Sequence, residues 1–462
     1  MKPTILIQSI DTRFYKTLFA LALPIALQNL IASSLNLIDT IMISQLGHRQ
    51  IAAVGLANQV FFLFNLFLFG VNSGAAIFTA QYWGINDRPN IHRVLGISLA
   101  SGLSIALVFT GLSYAIPETL LRFFTADPDV IALSSDYLKI VAISFIPTMI
   151  TFAYASVLRS TGQVVLPLKI NGLAILINTF LNYLLIFGNW GLPRLEVTGA
   201  AVATVIARMV EVSAILITVY RNNLVPAASW PQLTAISIPF AKNFFRTTIP
   251  VIMNESLWAG GVTMYTAVYA RMGTEIIAAI NISGTVERIA MVLFFGMAQA
   301  CAVMVGHKIG VGDNETAFRY AKRFSILGPS VGILIGILLM ALIPWILSFY
   351  QVDKEVLKLT ATIITIFALT IPVRIFNLIL IVGILRSGGD TRFSLIIDTA
   401  GLWVIAVPMV YVSGLVWKFP AHWVYLMTVS EECFKFILGF IRFSSKRWIH
   451  NLTHSSLSSE RI

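Results

Sequence analysis

Residues 158–163 read LRSTGQ, and residues 385–390 read LRSGGD. The relation extends far beyond these hexapeptides. A shift of 226 residues places Pro24 on Pro250, Gly47 on Gly273 and Ile51-Ala52-Ala53 on Ile277-Ala278-Ala279. It also places Gly70 on Gly296, Gly84 on Gly310 and Asp87 on Asp313. One register held over that length, with one residue added before the Leu-Arg-Ser segments, marks an internal repeat of the kind found in transporters.

The repeated unit is apolar. Of 462 residues, 57% are hydrophobic and 11% charged; soluble domains carry about 25% charged residues, so lipid solvates this chain. Windows of roughly 20 apolar residues, enough to span a bilayer, recur from residue 16 to residue 443. They predict twelve spans, centred near residues 30, 64, 103, 145, 177, 206, 256, 290, 332, 371, 405 and 432. The longest polar interruption, RNNLVPAASWPQLTAISIP (221–239), falls between spans six and seven, and Pro226, Pro231 and Pro239 make it a linker. The expected organisation is an N-lobe over 1–220, a cytoplasmic linker over 221–240, a C-lobe over 241–445 and a tail over 446–462. Because six is even, both lobes enter from the same side. The fold expected is an all-α integral membrane protein, two parallel six-helix repeats about a pseudo-two-fold axis along the membrane normal. The first span follows Lys2, Gln8, Asp11 and Arg13 with no small-residue cleavage site after it, so it reads as a retained helix.

The net charge of +11 has its source in orientation rather than in a nucleic-acid partner. Loops on the side of the termini carry about 20 Lys and Arg, the opposite loops about 7, which places both termini in the cytoplasm by the positive-inside rule. The two cysteines, Cys301 and Cys433, lie in apolar windows and suggest neither a disulfide framework nor a metal site. No phosphate-binding loop appears, so ATP does not drive the protein directly. The six histidines fall in loops or tails, and no H-E-x-x-H is present; a membrane-embedded enzyme is not expected, and neither is a cofactor.

Span one contains Pro24, Gln28, Asn29, Asn36 and Asp39. Asp39 stands in SSLNLIDTIMISQLG (33–47), where a carboxylate is expensive and is a functional candidate by default. At about 100° per residue, Gln28 and Asp39 share a face, with Asn36 close to it. Pro24 removes a backbone hydrogen bond and is a candidate bending point. In span five, Asn178 and Asn182 are four residues apart on one face, and their amides can serve either protonation state of Asp39; Tyr137, at the start of span four, could join them. The bland alternative makes Asp39 a locked structural group and the asparagines packing glue.

In the second lobe the repeat partner of Asp39 is Tyr265. Glu255 and Arg374 are opposite charges at similar depth and are expected to neutralise each other. Glu287-Arg288, Arg208-Glu211 and Glu431-Glu432-Lys435 read as local pairs, while Asp398 has no obvious sequence neighbour.

LALPIALQNL, LNLIDTIMISQLG, IAAVGLA, VLRSTGQ, NTFLNYLLIFG, TGAAVATVIAR and GILRSGGDT together resemble the MATE (multidrug and toxic compound extrusion) transporters of bacteria, over roughly residues 14–443. The resemblance implies a multi-pass antiporter of the bacterial inner membrane, a monomer that expels cationic or amphiphilic drugs in exchange for H⁺ or Na⁺. It makes Asp39 the coupling carboxylate, with Asn178, Asn182 and Tyr137 in its network and Pro24, Gln28 and Asn36 serving substrate or conformational change. In some relatives of the DinF-like type the position of Asn182 looks like an Asp; the amide here leaves Asp39 the one titratable carboxyl of the network and favours H⁺ over Na⁺ at Asp39. NorM-type relatives are thought to use second-lobe acids. Glu255 resembles one, but Arg374 lies roughly where another would be. A lipid-linked oligosaccharide flippase of the same superfamily would favour a cationic central cavity, which Arg208, Arg288 and Arg374 keep open. A major facilitator carrier is echoed only in part by GINDRPNIHR (84–93).

Overall fold

The computed structural model describes residues 12–453, and within them not the side chains of residues 35–37. Twelve helical segments follow one another, and each predicted span centre falls in one of them. They are α1 (Thr12–Ser44), α2 (His48–Gly84), α3 (Arg88–Ala115), α4 (Pro128–Ala142 with Phe145–Ser160), α5 (Val165–Phe187) and α6 (Glu196–Arg221). The second set is α7 (Ile238–Met272), α8 (Thr274–Val311), α9 (Asn314–Leu347), α10 (Lys354–Leu385), α11 (Thr391–Val416) and α12 (Ala421–Met427 with Val429–Ser444). Among the described residues nine are long and apolar enough to cross a membrane, and α4 makes a tenth, bent by 50°. Of the other two, α7 is more polar and carries Glu255, and α12 is broken into helices of 7 and 16 residues.

The bend in α4 has local causes. Pro147 gives no N–H and its ring displaces the carbonyl of Ile143, and the Ser144 hydroxyl donates to Val141 O at 2.6 Å. By contrast α1 runs unbroken through Pro24. Between α6 and α7 the chain is not wholly irregular: Trp230–Thr234 is a short helix held by a capping box of Ser229 and Gln232.

The repeat shows in how the helices begin. Asp87 caps α3 by accepting from Asn90 N at 3.1 Å, and Asp313 caps α9 by accepting from Thr316 N at 3.1 Å. In the loop before α9, that backbone bond holds the Asp313 carboxyl below its ordinary range.

It shows again where the halves meet. Gly84 and Gly310, repeat equivalents, lie at the ends of α2 and α8 that share a side with the chain termini. A Cβ on Gly84 would strike His307 O, and one on Gly310 would strike Gln81 O, so the backbones cross only because neither residue has one. Gln81 Nε2 donates to Ser387 O at 2.9 Å, and His307 Nε2 pairs with Ser160 O at 2.7 Å. Both partners of one bond are thus the repeat images of the partners of the other. The tail lies over this junction. Gln81 Oε1 accepts from Leu452 N at 2.7 Å, His450 N donates to Gly388 O at 2.8 Å, and Trp448 is fully buried.

Two outcomes are expected. Asp313→Ala should cost about 1 kcal/mol in thermal unfolding at neutral pH. With a native pKa below the unfolded one, the cap's contribution is present above the unfolded pKa and fades as pH falls through the native value. An equal loss at all pH values would mean the cap is not the cause. Second, Gln81→Ala should raise hydrogen exchange in residues 384–391 and in the tail; unchanged protection would show that the glutamine does not hold this end closed.

Candidate functional site

The carboxylate that makes span one costly lies near the end of α1, beside a cavity of ≈ 370 Å³. Four helices bring its polar lining together: Tyr137 from α4, Asn178 and Asn182 from α5, Thr204 and Arg208 from α6, and Asn58 and Asn65 from α2. Asn178 and Asn182 face inward because four residues make just over one helical turn. Phe61 and Phe62 supply an aromatic wall.

The hydrogen bonds run in one direction. Thr204 Oγ1 donates to Ala200 O at 2.9 Å, Asn178 Nδ2 donates to Thr204 Oγ1 at 3.4 Å, and Asn182 Nδ2 donates to Asn178 Oδ1 at 3.2 Å. Asn182 Nδ2 also donates to Asp39 Oδ1 at 2.7 Å. Asn182 Oδ1 is buried and receives no donor. An amide turned the other way would present that oxygen to a protonated carboxyl. Asp39 enters no ion pair among the described residues, while Arg208, at the same cavity, is held by Glu211 at 2.5 Å, itself bonded by Asn171 Nδ2 at 3.0 Å.

Asp39, Asn178, Asn182 and Tyr137 therefore share one cavity. Pro24 and Gln28 do not line it, and the side chain of Asn36 lies outside the described residues. Thr204 was not singled out in the sequence, and Arg208 was expected as the local partner of Glu211; their spacing of four on α6 places both at this cavity.

The second half differs from expectation. Glu255 does not pair with Arg374. Its Oε1 lies 2.7 Å from Arg386 Nη1. The helix α10 continues as a π-helical stretch, Ile379–Leu385, and carries Arg386 into the interior opposite α7. Arg386 Nη2 also donates to Asn254 Oδ1 at 3.3 Å, and Asn254 Nδ2 donates to Asp398 Oδ2 at 2.6 Å. Asp398 gains the neighbour it lacked in sequence: Lys435 Nζ, at 2.6 Å, which also reaches Glu431 at 3.2 Å. Arg374 is housed elsewhere. Its guanidinium lies 5.5 Å from the Phe367 ring centre and 5.9 Å from that of Tyr425. Glu287 accepts from Tyr425 Oη at 2.6 Å rather than pairing with Arg288, which donates to Thr285 Oγ1 at 3.0 Å.

Two six-helix repeats in a lipid-solvated chain, pinned at one end, with a carboxylate cavity inside one repeat, define a membrane transporter rather than an enzyme. The MatE family profile matches residues 24–184 and 250–412, two segments whose starts are 226 residues apart (250 − 24), the register of the repeat itself. The chain belongs to the MATE family of transporters. It is 23% identical over 446 residues to the "Probable multidrug resistance protein NorM" of Thermotoga maritima, covering 94% of this chain and 93% of that one. It is 23% identical to the "Uncharacterized transporter YisQ" of Bacillus subtilis, covering 97% and 98%. Among solved structures, "Crystal structure of MATE in the bent conformation" superposes with a TM-score of 0.85 at 18% identity, over 96% of this chain and 97% of that chain. "Outward-facing conformation of a multidrug resistance MATE family transporter of the MOP superfamily" gives 0.83 at 19%, over 94% and 97%.

Removing one partner of a buried pair strands the other charge, so Arg386→Gln should lower stability by about 3–5 kcal/mol. Glu255→Gln in that background should recover part of the loss in thermal unfolding. A double variant no better than the single one would show that Arg386 acts through something other than Glu255.

Proposed function

We propose that this chain is a multidrug efflux antiporter of the bacterial inner membrane, with both termini in the cytoplasm, exporting cationic or amphiphilic drugs in exchange for H⁺. The observation that carries this reading is the partner of Asp39: a neutral amide, Asn182, in an accessible cavity. Glu255 and Asp398, by contrast, are bonded to Arg386 and Lys435. A carboxylate fixed by a cation has little reason to take up a proton. One held by an amide with a spare oxygen can exchange charge for neutrality without losing its hydrogen bond. The relative named as a probable multidrug resistance protein supports the substrate class.

In the cycle, a proton entering from outside neutralises Asp39, Asn182 turns its oxygen to the new O–H, and α1 bends at Pro24, where the missing N–H weakens the helix. The cavity narrows and its cationic ligand leaves. Protonation provides the differential affinity an exchanger needs, because a cation binds the charged form better. The closed end at Gln81 and His307 supports a state open to the outside. Na⁺ is the less favoured coupling ion, since Asp39 is joined by amides rather than by a second acid. The three arginines that kept the flippase alternative open do not gather in one cavity: Arg208 is engaged by Glu211, Arg288 donates to Thr285, and Arg374 is packed among rings.

Asp39→Asn should insert and fold normally yet lose drug efflux from proteoliposomes driven by a pH gradient. Efflux at the wild-type rate from that variant would remove Asp39 from the coupling.

A further inference from the structure

We propose that the small cavity between the two halves binds the oxyanion of an amphiphilic substrate, with Arg159 as its guanidinium ligand and Arg386 beside it as a second positive charge. This inference rests on the export reading and adds a substrate class to it: molecules that carry a carboxylate.

Arg159 and Arg386 occupy the same place in the repeat, the Arg of LRSTGQ and the Arg of LRSGGD. The structure brings them from opposite halves to one cavity of ≈ 50 Å³, formed by α2 and α4 on one side and α8 and α10 on the other. The two are not equally satisfied. Arg386 gives Nη1 to Glu255 and Ser73 and Nη2 to Asn254, while its Nε is buried without an acceptor. Arg159 has no ion pair and no hydrogen bond among the described residues. Two guanidiniums against one carboxylate leave a net positive site at the end of α4. Arg159 is partly buried and presents an unpaired guanidinium to this cavity, where a counter-charge would be favoured. The planar fork of Arg suits an oxyanion through two parallel bonds.

The remaining lining selects the rest of the ligand. Phe69 and Phe152 offer apolar faces, and Gln299 an amide donor. The cavity holds a headgroup only, so the body of the molecule extends away from it. Along α2, Phe69 follows Asn65 of the Asp39 cavity by one helical turn, about 6 Å of rise. Each arginine precedes the serine whose carbonyl carries the end closure, Ser160 or Ser387, so an anion here sits directly on that closure.

The test uses the full-length protein in detergent and two dyes, a cationic rhodamine with a free carboxylate and its methyl ester, with binding followed by fluorescence anisotropy. Wild type should bind the carboxylate form about tenfold or more tightly than the ester. Arg159→Gln should abolish that preference while leaving ester affinity unchanged, and Arg159→Lys should keep part of it. Equal binding of the two dyes by wild type, or equal weakening of both by Arg159→Gln, overturns the subsite while leaving the export reading intact. Binding of neither dye overturns the export reading and the subsite with it. Displacement of the carboxylate's advantage by short-chain phosphatidate alone, with no effect of added ester, assigns the oxyanion to lipid and overturns the substrate assignment.

Discussion

A charge enclosed in a lipid-solvated chain must be answered by another group of the protein, and that constraint organises this molecule. In the second half three acids are answered by cations, Glu255 by Arg386 and Asp398 and Glu431 by Lys435, while Glu287 is bonded by the Tyr425 hydroxyl and Glu432 by Asn377. The ion pairs cross from α7 to the end of α10 and from α11 to α12, so they also tie the helices of that half together. A buried pair adds little net stability, yet breaking it is expensive; the second half is thereby held to one arrangement. Arg374, surrounded by aromatic rings, is part of the same economy of charge.

The first half answers Asp39 differently. Its partner is an amide, and behind that amide stand a second amide, a hydroxyl and a backbone carbonyl, each donating to the next. Nothing in that chain carries a full charge. The repeat therefore carries different charge partners in its two halves: Glu255 and Asp398 face cations, and Asp39 faces an amide. Tyr265 at the repeat position of Asp39 is the sequence mark of this divergence.

The halves meet through paired features that the duplication explains. Gly84 and Gly310 permit the backbones to cross, and Gln81 and His307 each reach the carbonyl of the serine that follows an arginine in the other half. The tail adds an asymmetric element, since Gln81 is also engaged by His450 and Leu452, whereas no tail residue is bonded to His307 among the described contacts. The shared geometry accounts for why the two Leu-Arg-Ser segments stand out in the chain: they carry the closure and, one residue earlier, the two guanidiniums of the central cleft.

Hydropathy and the 226-residue register were sufficient to predict twelve helices in two parallel sets, because lipid forces every backbone group into a helix and leaves few alternatives. The Asp39 network was legible for a related reason: a carboxylate in an apolar run, and two amides spaced by one turn, are anomalies visible in one dimension. The partners of Glu255, Asp398 and Arg374 were not. Arg386 stands 131 residues from Glu255, Lys435 37 from Asp398 and Tyr425 51 from Arg374, each on another helix, and opposite charges at similar depth admit several pairings. Only the packing of α7 against α11, and the extra turn that carries Arg386 inward, selected among them.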